Sequence, residues 1–382
     1  MDLLFQSDIK MEYNNLTPQE QDILSILVDT GQIKAADLPK GIWVGLDSMG
    51  PARNAKTDEL FPEIPDVLRQ FTETMQEYDL GLVVATNGPD KEGLEILESL
   101  DPSKNPRAFA VTEGGGKYIY FGDNKSRIVV LAAQEDIDKL GMLEEKIKQD
   151  PLMRAMLEDK EEYDGEAPVR TAYETNIVLT IPSSSRNFVE RLRKNGLNVP
   201  AYIGILSDNY VEDTLEYARR VFAEAISELG LEWKLKEPLI KKQNRRIYIS
   251  PAEINHKDPD TVGNLTFDKA PGAYAASEEL NAEKGYQIYT QSMSIYVADG
   301  LIDRTRGEGN MVLAKSEKSM LVNENTPRDK ARLGINVTMN DETPGMSHLE
   351  GVKILNIGSG AKALEAINFL YRTVHAELPN AA

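Results

Sequence analysis

The sequence predicts an α/β fold with a mainly parallel sheet, interrupted by an inserted α+β domain. Three observations predict it. Short apolar runs of strand length alternate with segments whose apolar residues recur at helical spacing. The alternation breaks off near residue 124, gives way to stretches rich in Glu, Lys, Asp and Met, and resumes after residue 250. At 382 residues the chain is long enough for two domains. The expected organisation is an N-terminal helical extension over 1–40, a first core part over 41–123, an insert over 124–250 and a second core part over 251–382.

In the extension, Thr17 suits a helix N-cap and Pro18 the first turn, and Ile23, Leu24, Ile26 and Leu27 supply an apolar side. Pro39-Lys40-Gly41 ends it. Residues 42–46 form an apolar run that reads as a buried strand. Ile64, Val67, Leu68, Phe71 and Met75 fall on one face of a helix over 63–77. A second strand over 80–85 stops at Thr86-Asn87-Gly88-Pro89, a helix follows over 90–100, and strands over 108–112 and 117–121 flank a glycine turn. In the insert, 134–162 reads as helices, 175–181 and 246–250 as strands, and 211–229 as a long helix. The resumed pattern predicts a helix over 270–280, strands over 294–298, 319–322 and 352–357, and a last helix over 362–372, with 323–349 as a long surface loop.

Composition narrows the function. The formal net charge of −19 argues against a nucleic-acid partner, because phosphate backbones are held by clustered Lys and Arg. A small phosphorylated ligand needs only one local cationic pocket. With no cysteine, disulfides, thiolate metal sites and thiol nucleophiles are excluded, and three scattered histidines do not suggest a His-rich metal site. Any metal would be a hard cation held by oxygen, such as Mg2+. No stretch reaches the roughly 18 apolar residues of a membrane span. The first residues lack the basic start of a secretion signal, so a cytoplasmic protein is expected.

Four segments fall where core strands end or a helix begins, the edge at which open α/β sheets bind ligands. They are Asp47-Ser48-Met49-Gly50, Thr86-Asn87-Gly88, Phe267-Asp268-Lys269 and Ala298-Asp299-Gly300-Leu301-Ile302-Asp303. In this order, with an insert between the second and third, they resemble the motifs of the haloacid dehalogenase (HAD) superfamily. The nearest likeness is to its capped sugar-phosphate phosphatases, the sucrose-phosphatase-like group. Val111-Thr112-Glu113-Gly114-Gly115 resembles the turn that precedes the cap in that group. The resemblance spans residues 42–372 and implies a Rossmann-like HAD core with a cap.

The resemblance also assigns roles. It makes Asp47 the nucleophile that takes up the phosphoryl group, a known use of a carboxylate. It makes Thr86 and Asn87 phosphate ligands, and Lys269 the cation that neutralises phosphate and nucleophile. Mg2+ would be held by Asp47, the backbone carbonyl of Met49, Asp299 and Asp303. The implied activity is phosphatase action on a small phosphorylated metabolite, a sugar phosphate, with the cap choosing the substrate. The first motif departs from the family's Asp-x-Asp-Gly-Thr. Met49 stands where the second Asp would protonate the leaving alcohol, and Pro51 where Thr is usual. The resemblance implies that metal and phosphate binding can survive that change, since the metal ligand there is a backbone carbonyl, whereas loss of a general acid/base costs roughly a hundredfold to ten-thousandfold in rate. The alternative is therefore a pseudophosphatase that binds a phosphorylated ligand or a partner protein.

Other features read as structural. Glu113-Gly114-Gly115-Gly116 lacks the spacing of a phosphate-binding loop and reads as a hairpin turn. Gly358-Ser359-Gly360 reads as a strand-to-helix turn, and Lys241, Lys242, Arg245 and Arg246 as a solvated face. His256 lies in a polar loop without a catalytic pattern.

Overall fold

The computed structural model describes residues 40–41, 43–54, 59–104, 107–122, 125–158, 174–181, 185–203, 210–231, 235–236, 246–250, 253–254, 265–266, 269–284, 295–298, 332–337, 345–349, 352–357 and 359–376. The first run of elements is β1 (Trp43–Asp47), α1 (Ile64–Glu77), β2 (Gly81–Ala85), α2 (Asp90–Leu97), β3 (Ala108–Thr112), β4 (Lys117–Gly122) and β5 (Lys125–Val130). Then come α3 (Gln134–Ile147), α4 (Pro151–Glu158), β6 (Ile177–Thr180), α5 (Ser185–Lys194), α6 (Tyr210–Glu228), β7 (Leu235–Lys236), β8 (Arg246–Ile249), β9 (Glu253–Ile254) and β10 (Leu265–Thr266). The last run is α7 (Lys269–Lys284), β11 (Ile295–Ala298), β12 (Arg332–Val337), β13 (Gly345–Leu349), β14 (Val352–Ile357) and α8 (Gly360–Ala376).

The chain divides into two compact units, Met1–Val129 with Asp268–Ala382, and Val130–Phe267. In the first, the main sheet has nine strands among the described residues, in the order β13-β14-β12-β11-β1-β2-β3-β4-β5. The run from β14 to β3 is parallel throughout. Antiparallel β13 borders one edge, and the β3–β4 hairpin turns the chain towards the other. Every residue of β1, β2 and β3 is buried, as expected of parallel strands covered on both faces.

Strand alternation sorts the side chains. Val44, Leu46, Leu82, Val84, Ala108, Ala110 and Ile119 join one core with α1, α2 and α8. α2 lies so close to β3 that a Cβ on Gly93 would stand 2.6 Å from that of Ala110. The intervening residues face the other way. Trp43 meets Phe109 edge-on at 4.9 Å, and Tyr118 and Tyr120 hydrogen-bond Glu279 and Glu283 of α7 at 2.8 and 3.1 Å. Burial, then the bond to Glu279, pushes the Tyr118 hydroxyl well above its ordinary value.

The second unit has the antiparallel sheet β6-β8-β7 and its own core, including Phe188 on α5 and Phe222 on α6. Asp150 caps α4 by accepting from the N–H groups of Leu152 and Met153 at 3.0 and 2.9 Å, with Pro151 opening the helix. It also accepts from the Tyr217 hydroxyl at 2.6 Å.

Several expectations need correction. The stretch 323–349 is not one loop: β12 and β13 lie in it, and β12 sits inside the parallel run between β11 and β14. Gly334 and Asn336 dilute its apolar letters to a bare alternation of Leu333, Ile335 and Val337, which carries little signal without knowledge of its neighbours. β5 and α5 were also not expected. β5 continues the main sheet beyond 123, and the second unit runs to Phe267, against the expected insert bounds of 124 and 250. Residues 1–39 and the expected strand over 319–322 lie outside the described residues.

Candidate functional site

Asp47 is the last residue of β1, which is flanked by parallel β2 and β11. The register pairs Asp47 with Ala85 and Leu46 with Val297, so Thr86 and the end of β11 at Ala298 share its carboxyl edge. Asp47 is 2% exposed. Its Oδ1 accepts from Nζ of Lys269 at 2.9 Å, across 222 positions of sequence. Lys269 is the first residue of α7 and is itself 4% exposed. A buried carboxylate and ammonium at this distance offset much of each other's desolvation. The structure thus brings together two of the predicted residues, from segments on either side of the insert.

Lys269 is held in place by the glycine turn. Gly114 and Gly115 lie at φ of +66° and +104°, conformations that suit glycine, and Glu113 also has positive φ. This is the expected hairpin turn between β3 and β4, but it also supports the site. A Cβ on Gly272, in the first turn of α7, would stand 2.6 Å from Gly115 Cα. On its other side the turn reaches the Thr86 segment, where Glu113 N–H donates to the Gly88 carbonyl at 2.9 Å and Gly114 N–H to the Thr86 carbonyl at 3.2 Å.

Thr86 is buried just past β2, but its hydroxyl is committed. It donates to Oε2 of Glu92 and accepts from Gly88 N–H at 2.8 Å. Glu92 is itself buried, in the first turn of α2, and was not singled out by sequence reading. The signal was present as Thr86-Asn87-Gly88-Pro89 followed by an acid three positions on, a spacing that returns the side chain over the turn. Asn87 lies half-buried at the same turn. Beside it, Asp90 accepts from the Thr112 hydroxyl at 2.7 Å, and Lys117 pairs with Glu113 at 3.0 Å and with Asp90 at 3.3 Å.

The segment after Asp47 folds back on itself. Gly50 has φ +90°, its N–H donates to the Arg53 carbonyl at 2.9 Å, and Arg53 N–H returns to the Ser48 carbonyl at 2.9 Å. This bridge across half-buried Met49 uses the carbonyl of Ser48 and the N–H of Gly50, not the carbonyl of Met49 itself. Arg53, 2% exposed, pairs with Glu95 of α2 at 2.6 Å. Partial burial raises the Glu95 carboxyl, but the bond and charge of Arg53 outweigh it and hold the group below its ordinary value. The start of α8 rests on the same segment: a Cβ on Gly360 would stand 1.9 Å from the Pro51 carbonyl oxygen. Gly358 lies outside the described residues, and Ser359 caps this helix by accepting from Lys362 N–H at 3.2 Å.

Asp299 and Asp303 lie outside the described residues, as do Phe267, Asp268, Lys241, Lys242, Arg245 and His256. The assigned metal donors that are described, the Asp47 carboxylate and the Met49 carbonyl, are both oxygens, the donor type that Mg2+ takes. Among the described residues no three acidic, His or Cys side chains are grouped to hold a metal, and no helix is long and apolar enough to cross a membrane.

An acid closes a central parallel strand, a lysine opens the helix that reaches it, and an α+β unit separates the two in sequence. The core is a Rossmann-like, mainly parallel α/β sheet. Solved structures similar to this chain include the C-terminal domain of the Candida albicans trehalose synthase regulatory protein. It is 10% identical, with a TM-score of 0.45, covering 91% of this chain and 98% of that one. A C-terminally truncated Plasmodium falciparum IMP-nucleotidase is 10% identical, with a TM-score of 0.41, covering 95% and 83%. A phosphatase of the haloalkanoate superfamily from Bacteroides thetaiotaomicron is 10% identical, with a TM-score of 0.39, covering 86% and 96%. No protein-family model and no curated protein matches the sequence.

Proposed function

We propose that this chain is a HAD-type phosphatase-like protein that takes a small phosphorylated metabolite, a sugar phosphate, at the strand ends around Asp47. The observation that carries the reading is the buried Asp47–Lys269 pair, 2.9 Å apart at the carboxyl edge of the parallel sheet. Phosphoryl transfer needs an oxygen held in line with phosphorus and a cation to balance the charge that develops. Asp47 and Lys269 supply those two things. In turnover the Asp47 carboxylate would form a bond to phosphorus as the bond to the leaving alcohol oxygen breaks. Water would then cleave the aspartyl-phosphate and release inorganic phosphate. Mg2+, held by Asp47, the Met49 carbonyl, Asp299 and Asp303, would neutralise phosphate charge.

Two observations favour a second reading, binding without useful turnover. Met49 has no proton to give the leaving alcohol. The hydroxyl proton of Thr86 is already given to Glu92. In this reading the chain holds a phosphorylated ligand and signals its presence. The test is hydrolysis of a panel of sugar phosphates with Mg2+ by the native chain, Asp47→Asn and Met49→Asp. Native activity lost in Asp47→Asn supports an enzyme. No native activity, with gain in Met49→Asp, supports a site that has lost its acid. No hydrolysis and no phosphate binding in any variant would overturn the site.

A further inference from the structure

We propose that Glu92 is a specificity-determining residue which keeps Thr86 from serving as a phosphate ligand. The inference rests on the reading that phosphate is taken beside Asp47 and Lys269. Thr86 has one hydroxyl proton, and it goes to Glu92 Oε2. Its oxygen accepts from Gly88 N–H at 2.8 Å. A hydroxyl so placed has no proton left for a phosphate oxygen, and an N–H that would otherwise suit an anion is also engaged. Both partners are buried, Thr86 at 2% and Glu92 at 5% exposure, so water does not compete for the bond.

Glu92 is fixed in this place by its surroundings. A Cβ on Gly88 would stand 1.9–2.1 Å from the Glu92 carboxylate, so the acid lies directly against the turn that follows β2. The absence of a side chain at Gly88 is what makes the room. One helical turn on, Glu95 pairs with buried Arg53 at 2.6 Å, which ties α2 to the segment following Asp47. α2 thus carries two acids on one face, one holding the end of β2 and one holding the segment after β1. The helix backbone that carries Glu92 is pinned at Glu95 and packed on Ala110 through Gly93.

With its proton given to Glu92, the Thr86 hydroxyl presents only an oxygen to a phosphate, which is itself an acceptor. Glu92 therefore makes the Thr86 side of the site an acceptor surface and weakens binding of phosphate there. The test is titration calorimetry of inorganic phosphate, with Mg2+ present, on the full chain. Glu92→Leu removes the acceptor while keeping most of the bulk, so the Thr86 proton is freed, and its expected affinity is about tenfold higher than native. Glu92→Ala gives the same gain and serves if the leucine variant does not fold. The double variant T86V/E92L returns towards native affinity, because the gain runs through the Thr86 hydroxyl. Folded Glu92 variants that bind phosphate no more tightly, or a gain that survives in T86V/E92L, overturn the inference. Lys269→Met in the otherwise native chain, or D47N/K269M if the single variant is unfolded, separates this from failure of the site itself. If it abolishes native phosphate binding, the site stands and a flat Glu92 result overturns only the role given to Glu92. If it changes nothing, or no protein binds phosphate, the site assignment fails and the inference fails with it.

Discussion

At the scale of single residues, the site is a set of buried charges held in pairs. Lys269 and Asp47 are 5% and 3% exposed in their side chains, and neither tolerates loss of the other easily. Removing one partner of a buried pair leaves an uncompensated charge, at a cost of about 3–5 kcal/mol, whereas replacing both by neutral groups is far milder. Lys269→Met should therefore lower the unfolding free energy by about 3–5 kcal/mol, and D47N/K269M should recover most of the loss. Urea unfolding of the two variants and the native chain measures it. Equal losses in both would mean that the pair contributes through packing rather than charge. Asp47 and Lys269 were singled out because their segments, a strand end and a helix start, fall in the order that the family resemblance implies; taken alone each reads as an ordinary surface charge. Glu92 was not, because an acid in the first helical turn reads as an ordinary response to the helix dipole. Only the fold shows that it turns back onto Thr86.

At the scale of elements, glycines set how closely the parts of the site approach. Gly272 lets the first turn of α7 lie on Gly115, which places Lys269 over the end of β1. Adding one methyl group there presses on backbone, which cannot rotate away as a side chain can. Gly272→Ala should cost about 1–3 kcal/mol of stability and weaken phosphate binding, because Lys269 moves with its helix. Gly141, exposed in α3, makes the contrast: nothing lies within 4 Å of a Cβ built on it. Gly141→Ala should raise stability by about 0.5–1 kcal/mol through backbone entropy alone. Thermal unfolding of the two variants tests both signs, and a destabilising Gly141→Ala or a neutral Gly272→Ala would contradict the packing argument. The elements themselves were legible to different degrees. β3 (Ala108–Thr112) and β14 (Val352–Ile357) fall at their expected bounds, because their apolar runs end in turn residues. β12 escaped notice because its place in the sheet comes from β11 and β14 rather than from its own composition.

At the scale of the whole molecule, the insertion has a mechanical meaning. The first unit is assembled from two stretches of chain that must find each other across the second, and Lys269 comes from the later stretch. The second unit is one continuous stretch with its own core, in which Phe222 is fully buried. Truncating a buried phenylalanine costs about 3–5 kcal/mol where the core cannot close over the space. Phe222→Ala should therefore reduce stability in Val130–Phe267, and its effect should be local because Phe222 belongs to a core separate from that of Phe71. Phe71→Ala, in α1 of the first unit, should instead loosen the strands that carry Asp47 and Thr86. Amide hydrogen exchange distinguishes the two, since protection reports opening segment by segment. Phe222→Ala should speed exchange across α3 and α6 while leaving β1, β2 and phosphate affinity near native values. Phe71→Ala should speed exchange in β1 and β2 and weaken phosphate binding. If both variants lose protection uniformly along the chain, the two cores open as one cooperative body. The insert is then a structural support of the site and not a separable addition to it.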